Sequence, residues 1–162
     1  MSATVGELTA RAAQPGRVVW IGARTERRGP IQSMERSAIE LNGLAADHRA
    51  RPGKRAVTLF QWEHLGAIGA FLGRPPVSPK DLRRNIGVAG LNLLGLRNRT
   101  FRVGTALLRG SGLAAPCSRM EETFGHGGYA AVRGHGGVTA EVLEPGEAAI
   151  GDGVRLVETG AS

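Results

Sequence analysis

The chain has 162 residues, 41% of them apolar, which suits one compact domain that builds its core without disulfides or a structural metal. One cysteine excludes an internal disulfide, and no apolar run approaches the roughly 18 residues of a membrane helix. The net charge is +7, and only Lys54 and Lys80 among the 21 basic residues are lysines, so the surplus is arginine, whose planar fork matches phosphates and carboxylates.

In chain order, residues 1–15 read as a flexible N-terminal arm, and residues 16–160 read as a single domain. Arg17 to Gly22 is a first strand, and Arg24 to Pro30 is charged and turn-rich. Ser37 to Leu41 alternates apolar and polar side chains, as a half-buried strand does. Residues 43–55 read as a loop, and Ala56 to Phe60 as a strand. From Gln61 to Leu72 the apolar residues recur at three- and four-residue spacing, which predicts a helix closed by Gly73 and the prolines at 75 and 76. Ile86 to Val88 is a short strand. Phe101 to Arg109 is a strand with a glycine turn or bulge near Gly104.

Ser118-Arg119-Met120-Glu121 matches the capping box S-x-x-E, so a short helix is expected to start there and stop near Gly125. The glycines from 127 to 137 break the next region into turns. Val138 to Leu143 and Val154 to Val157 are the last strands, with Pro145-Gly146 and Gly151 to Gly153 as turns. The 25 glycines separate many short elements, and the sum is an α+β chain, mainly β: a barrel or sandwich with attached short helices.

Cys117 stands one residue before the expected cap. A sulfur there lies near free backbone N–H groups and the positive end of a helix dipole, which favour a thiolate. Such a thiolate binds a soft metal, carries a persulfide sulfur or attacks an electrophile; the competing reading is a buried, inert core cysteine. The histidines His48, His64, His126 and His135 contain no i, i+4 pair, and there is no second cysteine, so a histidine-based zinc site is not expected. Few aromatics (4%) and the lack of zinc-finger spacing argue against a nucleic-acid partner. Arg83-Arg84-Asn85, just before a strand, offers paired donors and an amide to a phosphate or polar heterocycle.

Taken together, the ordered motifs resemble those of the MOSC family, the domain named after the C-terminal part of molybdenum-cofactor sulfurases. They are Gly43-Leu44 with Asp47-His48, Arg55 to Leu59, Leu82 to Ile86 with Gly90, Phe101 to Gly104, Pro116 to Glu121, Gly134 to Gly137 and Gly151 to Val154. They cover about residues 17–158 and look most like the small stand-alone bacterial members. The Arg49–Arg55 segment departs from the pattern, because the glycine-rich lead into the strand is reduced to Gly53.

The resemblance implies a MOSC-like β-barrel with peripheral short helices and a role around the molybdenum cofactor (Mo-molybdopterin). In that reading Cys117 is the molybdenum ligand or the carrier of a transferred sulfur. Arg83 and Asn85 match the R-x-N element that helps hold the pterin and its phosphate, Ser118 and Arg119 flank the cysteine, and Asp47 and His48 line the pocket. The activity expected is reduction of N-hydroxylated compounds or sulfur transfer. A separate electron donor, or a cysteine desulfurase-like sulfur donor, is then the partner. The alternative is a non-enzymatic scaffold that keeps the fold for a partner protein. The N-terminus lacks a signal-peptide pattern, which points to the cytoplasm.

Overall fold

A computed structural model describes residues 2–27, 29–48 and 50–157, so Arg49 and the last residues of the expected domain lie outside the described part. Eleven strands are present among the described residues: β1 (Gly16–Arg24), β2 (Ile31–Met34), β3 (Arg36–Glu40), β4 (Gly43–Leu44), β5 (Val57–Gln61), β6 (Ile86–Ala89), β7 (Thr100–Val103), β8 (Ala106–Leu113), β9 (Val138–Glu144), β10 (Gly146–Ala149) and β11 (Gly153–Leu156). The helices are α1 (Val5–Thr9), α2 (His64–Phe71), α3 (Pro79–Leu82), α4 (Arg119–Phe124) and α5 (Gly128–Val132), with a 3₁₀ turn at Leu93–Leu96.

Seven strands form a ring in the order β11-β7-β8-β9-β5-β6-β1, closed by pairing of β1 with β11 at Gly16↔Val154 and Arg17↔Gly153. Every neighbour pair in the ring is antiparallel except β5–β6. That parallel pair needs a crossover, and the chain supplies it with α2 and α3. β2 extends the ring as a flap on β1, and β10, β3 and β4 make a small separate sheet. The protein is therefore α+β, mainly β: a barrel with peripheral short helices, as the sequence leads one to expect.

Strand alternation separates two cores. Val57 and Leu59 of β5 point into the barrel beside Ile86, Val88, Phe101 and Val138, whereas Phe60 points outward. Outside the ring, Phe60 joins Trp20, Leu65, Ile68, Leu82, Met120, Phe124 and Val132 in a second core under the helices. β1 serves both cores because a bulge between Val18 and Trp20 shifts its phase. Val18, Ile21 and Ala23 face inward, and Trp20 packs edge-on against Phe60 at 5.7 Å. Burying each such aliphatic or aromatic side chain contributes roughly 1.5–3 kcal/mol.

Several expected boundaries move. The α2 helix starts at His64, not Gln61, because Gln61 pairs in register with Val88 as the last residue of β5. Its carboxamide then ties down the segment that follows β6, donating to Leu91 O (2.9 Å) and accepting from Leu93 N (3.0 Å). Phe101–Arg109 is a hairpin of β7 and β8, whose two-residue turn has Gly104 at φ 57°. β2, β4 and β10 fall in stretches expected to be loop, turn or unassigned. The glycine-rich stretch after Gly125 contains α5 rather than turns alone. The first fifteen residues include α1 and dock on the barrel: Arg99 donates to Gly6 O (2.7 Å) and Gln14 to Gly90 O (3.1 Å).

Candidate functional site

Cys117 is exposed, which removes the core-filler reading. It ends a strap, residues 113–117, that leads from β8 into α4. The strap is held on both sides. Ala114 N donates to Gly137 O (2.9 Å), and Arg84 reaches across with Nη2 to Ala115 O (2.8 Å) and Ala114 O (3.4 Å) and with Nε to Gly136 O (2.9 Å). One guanidinium thus joins the strap to the Gly134–Gly137 turn. Gly137 can run against β5 only because it lacks a side chain: its φ is 96°, and a Cβ there would overlap the Leu59 carbonyl.

Among the described residues Arg84 Nη1 carries no hydrogen bond, so it is available to a ligand. Burial lowers the pKa of this guanidinium. The nearby Cys117 sulfur acts in the opposite sense, and the like charges of Arg24 and Arg55 add to the lowering. A half-buried cation beside two others is uncomfortable without an anion, and a ligand carrying negative charge relieves it.

The capping box does not form. Ser118 has helical backbone angles (φ −57°, ψ −25°) and makes no side-chain cap bond. Glu121 turns instead to the following helix and accepts from Gly127 N and Tyr129 N, both at 3.0 Å. These two N–H groups are the unpaired amides at the start of α5, and they hold the Glu121 carboxyl below the usual carboxylate range. Without the cap, the turn begins earlier, with Met120 N donating to Cys117 O (3.0 Å). Ser118 and Arg119 are exposed next to the cysteine.

Arg83 and Asn85 diverge from Arg84. Arg83 ends α3 with φ 57° and donates to Gly29 O (3.2 Å), on the loop between β1 and β2. Asn85 is 3% exposed, and its carboxamide is fully engaged. It accepts from Thr58 N (3.1 Å) and Thr58 Oγ1 (3.2 Å) and donates to Gly22 O (3.1 Å) and Asp47 Oδ2 (2.8 Å). Asn85 is therefore a cross-tie between β1, β5 and the 45–50 loop, with no hydrogen-bonding capacity left for a ligand. Asp47 is 7% exposed and lies 3.7 Å from Arg24. His48 is exposed, and its Nδ1 pairs with Arg24 O at 2.9 Å. Asp47 and His48 thus fix the end of β1, from which Arg24 projects.

The cluster the sequence reading missed is Arg84 with Arg24 and Arg55. Nothing in the sequence separates Arg84 from Arg83; only the left-handed turn at Arg83 sends their side chains to different partners. A second unforeseen juxtaposition is His64 with His135, whose Nδ1 atoms stand 3.0 Å apart and join α2 to the glycine turn. Burial is the main cause that lowers the His64 pKa, with the His135 charge second and Glu63 opposing. Among the described residues no three His, Cys, Asp or Glu side chains gather as a metal site. No helix there is long and apolar enough to cross a membrane.

Solved structures share this fold. The YuaD protein of Bacillus subtilis is 16% identical, with 87% of this chain and 94% of that one covered at a TM-score of 0.76. YiiM of Geobacillus stearothermophilus is 21% identical, with 91% and 78% covered at 0.72. YiiM of Escherichia coli is 20% identical, with 88% and 70% covered at 0.66. At these identities the likeness speaks for the fold alone. No curated protein matches the chain. The MOSC domain model matches residues 39–155, from β3 through the strap and Cys117 to β11, and the chain belongs to the MOSC domain family.

Proposed function

We propose that the strap and its arginines bind the molybdenum cofactor, with Cys117 as the thiolate ligand to molybdenum. The observation that carries this reading is the exposed Cys117 at the end of a strap pinned by Arg84, a guanidinium that itself feels the charges of Cys117, Arg24 and Arg55. A thiolate suits molybdenum, and guanidinium groups suit the phosphate of the pterin. Arg84 Nη1, Arg24 and Arg55 are the candidate phosphate donors. Asn85, Asp47 and His48 act one layer behind, by fixing the backbone from which the arginines reach. Ser118 and Arg119 flank Cys117 in the chain, whereas Arg83 turns away to Gly29 O.

When bound, the cofactor supplies two-electron redox chemistry with oxygen-atom transfer, which is the chemistry needed to reduce an N-hydroxylated compound. The residues of this chain bind and orient: the strap fixes the position of the sulfur, and the arginines balance the anion. Electrons come from a separate donor protein.

Elemental analysis of protein made in a cofactor-competent host tests the reading. Near-stoichiometric molybdenum is expected, with loss in Cys117→Ala and at least a tenfold drop in Arg84→Met. A cyanide-labile sulfur on Cys117 without molybdenum makes the protein a sulfur carrier served by a desulfurase-like donor, and overturns the ligand assignment. Neither molybdenum nor labile sulfur leaves a scaffold role.

A further inference from the structure

Against the strap lies a hollow, about 540 Å³ in volume, with Ala114–Pro116 as one wall and the Gly134–Gly137 turn as another. That volume falls within the roughly 300–1,000 Å³ of small-molecule sites. Its remaining walls are Leu94, Leu113 and Tyr129, which are 51%, 50% and 40% exposed. Three large apolar side chains left half in water around one concavity stand to gain from an apolar occupant.

The lining contains one charged side chain, Arg133. It is exposed, and its guanidinium makes no ion pair or hydrogen bond among the described residues. No acidic residue lines the hollow. One available guanidinium beside apolar walls matches a ligand with an apolar body and a single carboxylate. It does not match a polyanion such as a nucleoside triphosphate, which calls for several cations.

We infer that this hollow is a binding site for an aromatic or aliphatic monocarboxylate, whose body lies on Leu94, Leu113 and Tyr129 and whose carboxylate is paired by Arg133. Ala114–Pro116 is both its wall and the lead into Cys117, so an occupant rests on the same strap whose carbonyls Arg84 holds. The site does not depend on the cofactor reading, and the two are tested separately.

The test is calorimetric titration of the purified full chain with 2-naphthylacetate and with its neutral amide. The acid is expected to bind saturably, at least tenfold tighter than the amide. Arg133→Gln, an exposed substitution, is expected to remove that preference without changing the melting temperature. Leu113→Asp, also exposed, is expected to weaken the acid at least tenfold. Cys117→Ala is expected to bind the acid like the parent, whatever its molybdenum content. No saturable binding up to millimolar acid, equal binding of acid and amide by the parent, or a preference that survives Arg133→Gln would each overturn the inference.

Discussion

Replacing Asn85 by alanine removes four side-chain hydrogen bonds at once: from Thr58 N and Oγ1, and to Gly22 O and Asp47 Oδ2. A neutral intramolecular bond contributes about 1 kcal/mol net, and one to a charged group about 1.5–3 kcal/mol. The Asp47 carboxylate, buried and 3.7 Å from Arg24, loses the amide that donates to its Oδ2. Water entering the space returns part of the loss, so a net cost of about 4 kcal/mol is expected. For a domain of this size 1 kcal/mol moves the melting temperature by about 2–4 °C, which gives a fall of roughly 8–16 °C. Urea and thermal melts followed by circular dichroism measure it. Asn85→Asp is the sharper control. It keeps the shape but sets a carboxylate where the Nδ2 group stands 2.8 Å from Asp47, and at neutral pH it is expected to be at least as damaging. A melt of Asn85→Ala within about 2 °C of the parent would refute the cross-tie and return Asn85 to the ligand-binding residues.

Three further outcomes follow from the geometry. Gly137→Ala forces a methyl onto the Leu59 carbonyl at a left-handed φ of 96°, so a loss of about 3 kcal/mol or more is expected in urea melts; a loss under 1 kcal/mol argues against the close approach. His64 is held below its ordinary pKa in the folded chain, so folding is fully supported above the unfolded value of about 6.5 and loses stability as pH falls below it. His135→Gln removes the repelling neighbour and is expected to flatten that acid slope between pH 7.5 and 5; parallel slopes in the two proteins contradict the pairing. Glu121 is held below its usual range by two amides, so its support for the α4–α5 turn is present above the unfolded carboxylate value and fades as pH falls through the folded one. Glu121→Gln is expected to speed amide exchange at Gly127 and Tyr129, and unchanged exchange there speaks against the cap.

What was legible in the sequence was local. The alternation of Ser37, Ile39 and their neighbours fixed β3 within a residue, and the run from Val57 to Phe60 gave β5, because period-two burial is written in consecutive side chains. The end of α2 was legible from Gly73 and the prolines, since those residues forbid continuation. Partner choice was not. Glu121 had two sets of free amides within reach, those of α4 and those of α5, and the spacing S-x-x-E describes only the first. Arg83 and Arg84 are adjacent and chemically alike, and the backbone turn that separates them depends on how α3 meets β6. His64 and His135 meet only after the crossover and the glycine turn have both folded.

The ring is closed by its first and last strands, Gly16 with Val154 and Arg17 with Gly153. During synthesis the Gly16–Arg17 end of β1 therefore waits unpaired on that edge, while β2 covers Ile21–Arg24, until β11 has left the ribosome. Contacts of such long sequence separation make folding slow, because loop closure has to precede the contacts that reward it. The strap and Cys117 emerge before β11, so the thiol is in solution before the barrel shuts. Any loading of Cys117 with cofactor or sulfur is thus separable in time from barrel closure.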